Sequence, residues 1–145
     1  VIPPGSRLVI DTSVLIAHIA GTEPTSALAT QLLDDFIAGG RNDGVFSSVT
    51  VGEVLVKPSQ IGQARGVGLG VLDMEGTQVR SVDFLIAAEA ARIRGETSLE
   101  LPDAIVIATG VMTSAQILVT NDRRLAAAVP KVVPEMRVVL LSDLV

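Results

Sequence analysis

The sequence predicts an α/β protein in which helices cover both faces of a parallel sheet. Short apolar runs typical of strands alternate along the chain with longer segments that repeat apolar residues at helical spacing. Acidic residues lie at several junctions between the two kinds of segment. Because this alternation is typical of strand–helix–strand units with right-handed crossovers, we expect a three-layer α/β/α sandwich with about five parallel strands.

The predicted strands are short apolar or alternating runs, bounded by polar or turn-forming residues. They are Arg7–Ile10, Val45–Ser47, Gln78–Val82, Ile117–Thr120 and Arg137–Leu141. Gln78–Val82 is assigned on its alternation of polar and apolar residues, and the other four are assigned on their apolar runs. Helical patterns fall between these strands, which favours parallel over hairpin connections.

The predicted helices are Ser13–Ala20, Thr25–Ala38, Thr50–Val56, Asp83–Gly95, Asp103–Thr113 and Asp122–Val129. The second of them ends at Gly39 and Gly40, which suit a helix C-terminus. The third is expected to end before Pro58, because proline interrupts a helix. Gly62–Gly70 contains four glycines and is predicted to be a loop or an irregular helical turn.

Length and composition set the outer limits. A chain of 145 residues is expected to form one domain, residues 1–145, with a core of Val, Leu, Ile and Ala because only 2% of residues are aromatic. The mean hydropathy of +0.54 predicts apolar surface for self-association, and we expect a homodimer or a bound partner. No run approaches the roughly 20 apolar residues of a membrane helix, and no signal-peptide pattern is present, which predicts a cytoplasmic protein.

Residue counts exclude several catalytic classes. The chain has no cysteine, which excludes a thiolate nucleophile and a cysteine zinc site. His18 is the only histidine, which excludes paired-histidine nucleases and histidine zinc triads. The net charge of −5 disfavours a nucleic-acid ligand at first sight. Divalent ions held by carboxylates reverse such charge locally, so nucleic acid stays possible.

Four acidic residues lie where strand-like runs give way to helices: Asp11, Glu53, Asp103 and Asp122. Asp11 and Asp122 follow predicted strands, so both should lie at the carboxyl edge of the sheet, where ligands of such folds bind. A hard divalent cation requires charged oxygens. The convergence of acids from distant segments therefore predicts a metal-dependent phosphodiesterase.

Each acid alone also has a structural explanation. Asp11 and Asp122 are placed to cap helices. Thr50 and Glu53 have the spacing of a capping box, and Asp103 follows a proline and suits a first helical turn. Capping is equally satisfied by Ser, Thr or Asn, however, whereas a cation needs charge. Acids at all four junctions favour the metal site.

Basic residues adjoin the fourth acid. Arg123 and Arg124 follow Asp122 directly, and Arg92 and Arg94 lie near the end of a predicted helix. The last two are expected to balance a helix C-terminus. Arg123 is the candidate for contact with a phosphate backbone, with solvation of its side chain as the alternative.

Four motifs resemble those of the PIN-domain ribonucleases, and within that family the small VapC-type toxins of toxin–antitoxin pairs. The motifs are Val9–Ile16, Ser48–Val54, Leu101–Thr109 and Leu118–Leu125. Each string alone is a weak signal, but their order and spacing over nearly the whole chain are specific. The resemblance implies a five-stranded parallel sheet, a Mg²⁺ or Mn²⁺ site, endoribonuclease activity on an RNA substrate, and a cognate antitoxin that covers the site.

Position by position, the resemblance carries the family's acidic quartet onto Asp11, Glu53, Asp103 and Asp122. It places three polar neighbours of these acids at Ser13, Thr120 and Asn121. Asp11 and Asp103 are then expected to hold the principal ion. A water activated by this ion would attack the phosphodiester in line.

Two other functions remain open at the level of sequence. A phosphoacceptor receiver also has Asp at strand ends, but it needs a lysine near the late strands and Lys131 is poorly placed for this. A related aspartyl-phosphate phosphatase needs a second Asp where Ser13 stands. A catalytically silent RNA-binding or partner-binding module of the same fold would share all four motifs.

Overall fold

A computed structural model describes residues 1–144 and confirms the α/β class. All five strands pair in parallel, in the order β3-β2-β1-β4-β5. They are β1 (Arg7–Ile10), β2 (Asp43–Ser47), β3 (Thr77–Arg80), β4 (Ile117–Thr120) and β5 (Arg137–Leu140). The strands β1 and β4 are almost fully buried, as expected for a parallel sheet covered on both faces.

Helices form the two outer layers. They are α1 (Thr12–Ala20), α2 (Ser26–Gln31), α3 (Ser48–Gln60), α4 (Ala64–Leu72), α5 (Phe84–Glu96), α6 (Leu101–Met112) and α7 (Arg123–Val132). A π-helical segment, Leu32–Ala38, continues α2, and a short 3-10 turn, Leu141–Asp143, follows β5. One apolar cluster joins the sheet to α1, α2 and α4, and a second joins it to α5, α6 and α7. No helix in residues 1–144 is both long and apolar enough to cross a bilayer.

The strand order reverses at the centre of the sheet. β1 pairs with β2 on one side and with β4 on the other. The chain adds β2 and β3 on the first side and then crosses back to add β4 and β5. Because ligands of open parallel sheets bind beyond the carboxyl ends of the strands at such a reversal, the ends of β1 and β4 mark the expected site.

The prediction of a loop or irregular turn at Gly62–Gly70 is wrong, because α4 occupies Ala64–Leu72. Gly68 is buried against α3, and a Cβ atom at this position would lie 3.5 Å from Leu55 Cδ1. This is an ordinary van der Waals distance, so the packing of this face of α4 on α3 does not depend on the absence of a side chain. This packing outweighs the low intrinsic helix propensity of glycine.

The predicted end of the third helix before Pro58 is also wrong. Pro58 lies inside α3, in its last turn, and the helix continues to Gln60. Gly62 ends it instead, because its φ of +73° is accessible to glycine and its N–H donates to the Ser59 carbonyl. A proline this close to a helix end removes only one intrahelical hydrogen bond.

Candidate metal-binding site

Each of the four acidic residues lies on a different helix or directly before one. Asp11 directly follows β1 and is the residue before α1, and Asp122 is the residue before α7, two positions after β4. Glu53 lies on α3, which follows β2 without a gap, and Asp103 lies in the first turn of α6. The fold thus directs residues far apart in sequence toward the carboxyl edge of the central strands.

Asp11 is 4% exposed, and side-chain hydroxyls fix its carboxylate. Ser13 Oγ donates to Asp11 Oδ2 at 2.7 Å, and Thr120 Oγ1 donates to the same oxygen at 2.8 Å. Asp11 makes no side-chain cap to the start of α1. The capping explanation is therefore wrong for this residue, whose buried charge is oriented by two hydroxyls instead.

Glu53 does not form the capping box that its spacing from Thr50 suggests. Ser47 caps α3, and Glu53 is an exposed residue well inside the helix. Its Oε1 accepts a hydrogen bond from Thr12 Oγ1 at 2.7 Å, and Thr12 Oγ1 also lies 2.9 Å from Thr50 Oγ1. Sequence analysis missed Thr12, although its place directly after Asp11 is the signal that marks it.

Asp122 does cap its helix. Its Oδ1 accepts from the backbone N–H groups of Arg124 and Leu125 at 2.9 and 3.2 Å. The backbone N–H of Asn121 donates to Ser13 Oγ at 3.0 Å, which links the end of β4 to the start of α1. Capping and a role at the site are therefore compatible, because the cap uses only one of the two carboxylate oxygens.

Asp103 has the clearest electrostatic signature. Burial and, after it, the negative charges of Asp11, Asp122 and Glu53 together raise its pKa from 3.8 to about 6, partly offset by Arg124. Arg124 Nη2 lies 3.6 Å from Asp103 Oδ2. A carboxyl with a raised pKa among like charges identifies a place where the protein concentrates negative charge.

These carboxylates are close enough to repel one another, but their oxygens are too far apart to share one metal ion. Within residues 1–144, no three Asp, Glu or His side chains are near enough to hold a metal ion as they stand. The two findings differ in range, because Coulomb forces act over several ångströms whereas Mg²⁺ coordination needs oxygens at about 2.0–2.1 Å. A shared cation therefore requires the side chains to close on it.

Three of the four carboxylates are held by hydrogen bonds to one oxygen only. Asp11, Glu53 and Asp122 accept through Oδ2, Oε1 and Oδ1, and the second oxygen of each has no hydrogen-bond partner among residues 1–144. Asp103 has the 3.6 Å ion pair with Arg124 and no hydrogen bond to its side chain from these residues. Each of the four side chains therefore has at least one oxygen available to a ligand.

The basic residue that meets the acids is Arg124, through its ion pair with Asp103. Arg123, the residue proposed from sequence to contact substrate, is exposed and forms none of the ion pairs within residues 1–144. Its role stays a prediction. Arg124 differs from Arg123 by one helical step of about 100°, which the sequence alone does not orient.

The fold and the acidic edge of its central strands are those of a known class. The chain belongs to the PIN domain family, whose sequence model matches residues 8–130. No curated protein sequence matches the chain significantly.

Solved structures show the same fold. A toxin–antitoxin complex from Klebsiella pneumoniae is 24% identical, with a TM-score of 0.69 over 94% of this chain and 98% of the other. VapC20 of Mycobacterium tuberculosis, a sarcin-ricin loop cleaving toxin, is 17% identical, with a TM-score of 0.68 over 85% and 95%. FitAcB from Neisseria gonorrhoeae is 21% identical, with a TM-score of 0.66 over 91% and 95%. At these identities the likeness establishes the fold.

Proposed function

We propose that this PIN domain is a divalent-metal-dependent endoribonuclease and the toxin of a toxin–antitoxin pair. The observation that carries the proposal is the group of four carboxylates at one edge of the sheet. Asp11, Glu53 and Asp122 are each oriented through one oxygen, and their charges contribute to the raised pKa of Asp103. VapC20, a sarcin-ricin loop cleaving toxin, and a toxin–antitoxin complex share the fold, which supports this choice of substrate and context.

The residues present fit a hard divalent cation. Four charged oxygens without hydrogen-bond partners suit Mg²⁺ or Mn²⁺, and a cation would relieve the repulsion that raises the pKa of Asp103. Asp11 and Asp103 would hold it, with Glu53 and Asp122 directly or through water. An ion held there supplies a lowered pKa for the attacking water and neutralises charge at the phosphate.

The surrounding polar side chains hold this arrangement in place. Ser13 and Thr120 fix the plane of the Asp11 carboxylate, and Thr12 fixes Glu53. The Asn121 side chain donates to Thr25 Oγ1 at 3.0 Å and ties the segment after β4 to the start of α2. Such neighbours orient the ligands of a metal, and their loss reduces affinity or activity about 10- to 100-fold in other proteins.

The nature of the RNA ends tests the reaction. Chelator-treated protein is expected to cut RNA only after Mg²⁺ or Mn²⁺ is restored. Water is expected to attack the phosphorus while the 3′ oxygen leaves, which gives 5′-phosphate and 3′-hydroxyl ends. Sequencing of ends with and without prior phosphatase treatment measures this. Ends with 2′,3′-cyclic phosphate would contradict the route, since they require the ribose hydroxyl as nucleophile. RNA that binds but stays uncut with either ion would instead favour a catalytically silent module.

A groove beside the carboxylates supports an antitoxin as the partner. It encloses about 590 Å³ between α1 and α3, opens at Glu53, and is lined by exposed apolar side chains that include Ile16, Ile19, Val56 and Ile61. An amphipathic helix fits such a groove. A segment bound there would lie beside Glu53 and would block access of RNA to the acids.

A separate apolar patch supports the homodimer. Phe84 and Leu85, at the start of α5, are 83% and 63% exposed, and Val82 just before them is 37% exposed. Neighbouring apolar side chains this exposed are unusual on a monomer surface.

The proposal also includes that residues 1–145 form one domain and that the protein acts in the cytoplasm.

Two charge insertions are expected to separate these surfaces. Val56→Glu, in the groove, should weaken binding of the protein encoded next to this chain at least about 10-fold without changing the dimer, because a buried charge costs several kcal/mol. Phe84→Glu should shift dimer to monomer and leave that binding intact. Calorimetry measures the first effect and light scattering the second. Equal effects of both variants on both measurements would contradict the assignment of two surfaces.

A further inference from the structure

A second cavity adjoins Arg124, the residue that pairs with Asp103. It encloses about 530 Å³ between the end of α5, the segment that follows it, and one face of α7. Its lining residues are Gly95, Glu96, Thr97, Ser98, Leu99, Arg124, Ala127, Ala128 and Lys131. None of the four acidic residues lines this cavity, so the metal-binding site does not account for it.

The face of α7 that lines the cavity has a basic residue at each end. Arg124, Ala127, Ala128 and Lys131 follow helical spacing, so they lie on one side of α7. Lys131 lies seven positions after Arg124, which corresponds to about 10 Å along the helix axis. The two alanines between them are short, and they leave the space that the cavity occupies. The result is a depression framed by two cations.

The acidic residue in the lining is already paired. Glu96 Oε2 accepts from Arg92 Nη1 at 2.8 Å, and Arg92 also binds Glu89 and donates to the Val132 carbonyl at 3.1 Å. Arg92 thereby orients Glu96 and ties α5 to the end of α7 beside Lys131. Lys131 takes part in none of the ion pairs within residues 1–144. The positive charge of the cavity therefore lies on its α7 wall, at Arg124 and Lys131.

Arg124 connects the cavity to the acids. Its guanidinium lies 3.6 Å from Asp103 Oδ2, and its backbone N–H donates to Asp122 Oδ1. A strand held at the carboxylates would therefore reach Arg124 next and Lys131 beyond it. Along this path the surroundings change from carboxylates, which need a cation to bind a phosphate, to basic side chains. These side chains neutralise the next phosphate of the strand directly.

We propose that the Arg124–Lys131 cavity binds a phosphate of the RNA strand that flanks the bond to be cut. Lys131 and Arg124 neutralise this phosphate, and the exposed Ser98 lies in the opposite wall. Contacts of this kind position a nucleic acid without reading its sequence. The inference rests on the proposed function and adds the residues that set the register of the strand.

The test is RNA binding without cleavage. Lys131→Ala and Arg94→Ala each remove one positive charge, but Arg94 does not line the cavity. Binding of a labelled single-stranded RNA is measured by fluorescence anisotropy in chelator at several salt concentrations. The repulsion from the metal-free carboxylates is common to all variants and cancels in the comparison.

Lys131→Ala is expected to weaken binding about 5- to 10-fold at low salt and to reduce the slope of log affinity against log salt by about 0.7, because one phosphate contact is lost. Lys131→Arg should restore both. Ala128→Glu, which fills the floor with negative charge and keeps both cations, should weaken binding at least as much. Arg94→Ala should change neither affinity nor slope.

Equal affinities and slopes for Lys131→Ala and Arg94→Ala would overturn the inference, as would absence of RNA binding by the parent at low salt. Displacement of RNA by polyglutamate of equal charge, lost in Lys131→Ala, would assign the cavity to an acidic protein segment and also overturn it. Absence of RNA cleavage would contradict the proposed nuclease function and not this inference. The parent and Lys131→Ala can differ in RNA binding whether or not RNA is cut.

Discussion

Replacing Asp11 or Asp103 with Asn is expected to lower Mg²⁺-dependent RNA cleavage by more than about 100-fold, since the loss of a ligand's neighbour alone costs 10- to 100-fold. Asn keeps the shape of Asp but removes the charge that a hard cation requires. Initial rates on a labelled RNA measure the effect. Asp35→Asn makes the same change at an exposed helical position and should keep the parental rate. Parental rates from both site variants would refute the metal site.

Unfolding measurements on the same variants show whether they fold and whether the charged Asp103 carboxylate destabilises the metal-free protein. The raised pKa of Asp103, about 6 against 3.8, means that the folded protein binds this proton more tightly than the unfolded chain. The metal-free parent therefore loses stability as the pH rises from 3.8 to about 6, and the loss persists above that. The Asp103 side chain is 28% exposed, which weakens the interaction through solvent screening.

Asp103→Asn should accordingly be more stable than the parent by about 1–2 kcal/mol at pH 8 in chelator, with little difference near pH 4. Urea unfolding of both proteins at the two pH values measures this. A difference that is the same at both values would mean that the pKa of Asp103 is not raised in the folded protein.

The sequence predicts the frame of the site because its signals are local. β1 and β4 have their predicted bounds, Arg7–Ile10 and Ile117–Thr120, since buried strands of a parallel sheet are short apolar runs that polar residues interrupt. Asp11 and Asp122 follow them and must lie at the carboxyl edge. The matching family model confirms the resemblance that the motifs carry.

Contacts between distant segments are what the sequence does not predict. The Thr12–Glu53 hydrogen bond joins α1 to α3 across 41 positions, so the local capping-box spacing of Glu53 suggested the wrong partner. The helical state of α4 likewise depends on burial of the face that contains Gly68 and Val71, which outweighs local glycine propensity. Arg124 rather than Arg123 meets Asp103 because of the rotation of α7 on the sheet.

The same Gly→Ala change is expected to have opposite effects on stability at two helical positions. At Gly110 in α6, a Cβ would lie 2.7 Å from Val9 Cγ1 and 2.8 Å from Met136 Cε. The Met136 side chain can bend away, but Val9 is a buried, β-branched residue of the central strand. Overpacking of this kind costs about 1–3 kcal/mol, so Gly110→Ala should lower the free energy of unfolding.

Gly70 in α4 is the matched control, because nothing lies within 4 Å of a Cβ placed there. Gly70→Ala should raise stability by about 0.5–1 kcal/mol, since alanine loses less backbone entropy in a helix. Denaturant unfolding measures both variants. A loss of stability in Gly70→Ala would contradict the helical state of α4, and a Gly110→Ala protein as stable as the parent would contradict the close packing of α6 on β1.

Gly110→Ala should also lower cleavage, whereas Gly70→Ala should not, if the folded fraction of each is taken into account. Val9 lies on β1, two residues before Asp11, which directly follows this strand, so a shift of β1 away from α6 also moves the Asp11 carboxylate. Displacement of a catalytic group by about 1 Å can cost 100-fold in rate. Cleavage measured at a temperature where both variants are fully folded separates this displacement from unfolding, and parental activity in Gly110→Ala would show that α6 absorbs the added methyl group without moving β1.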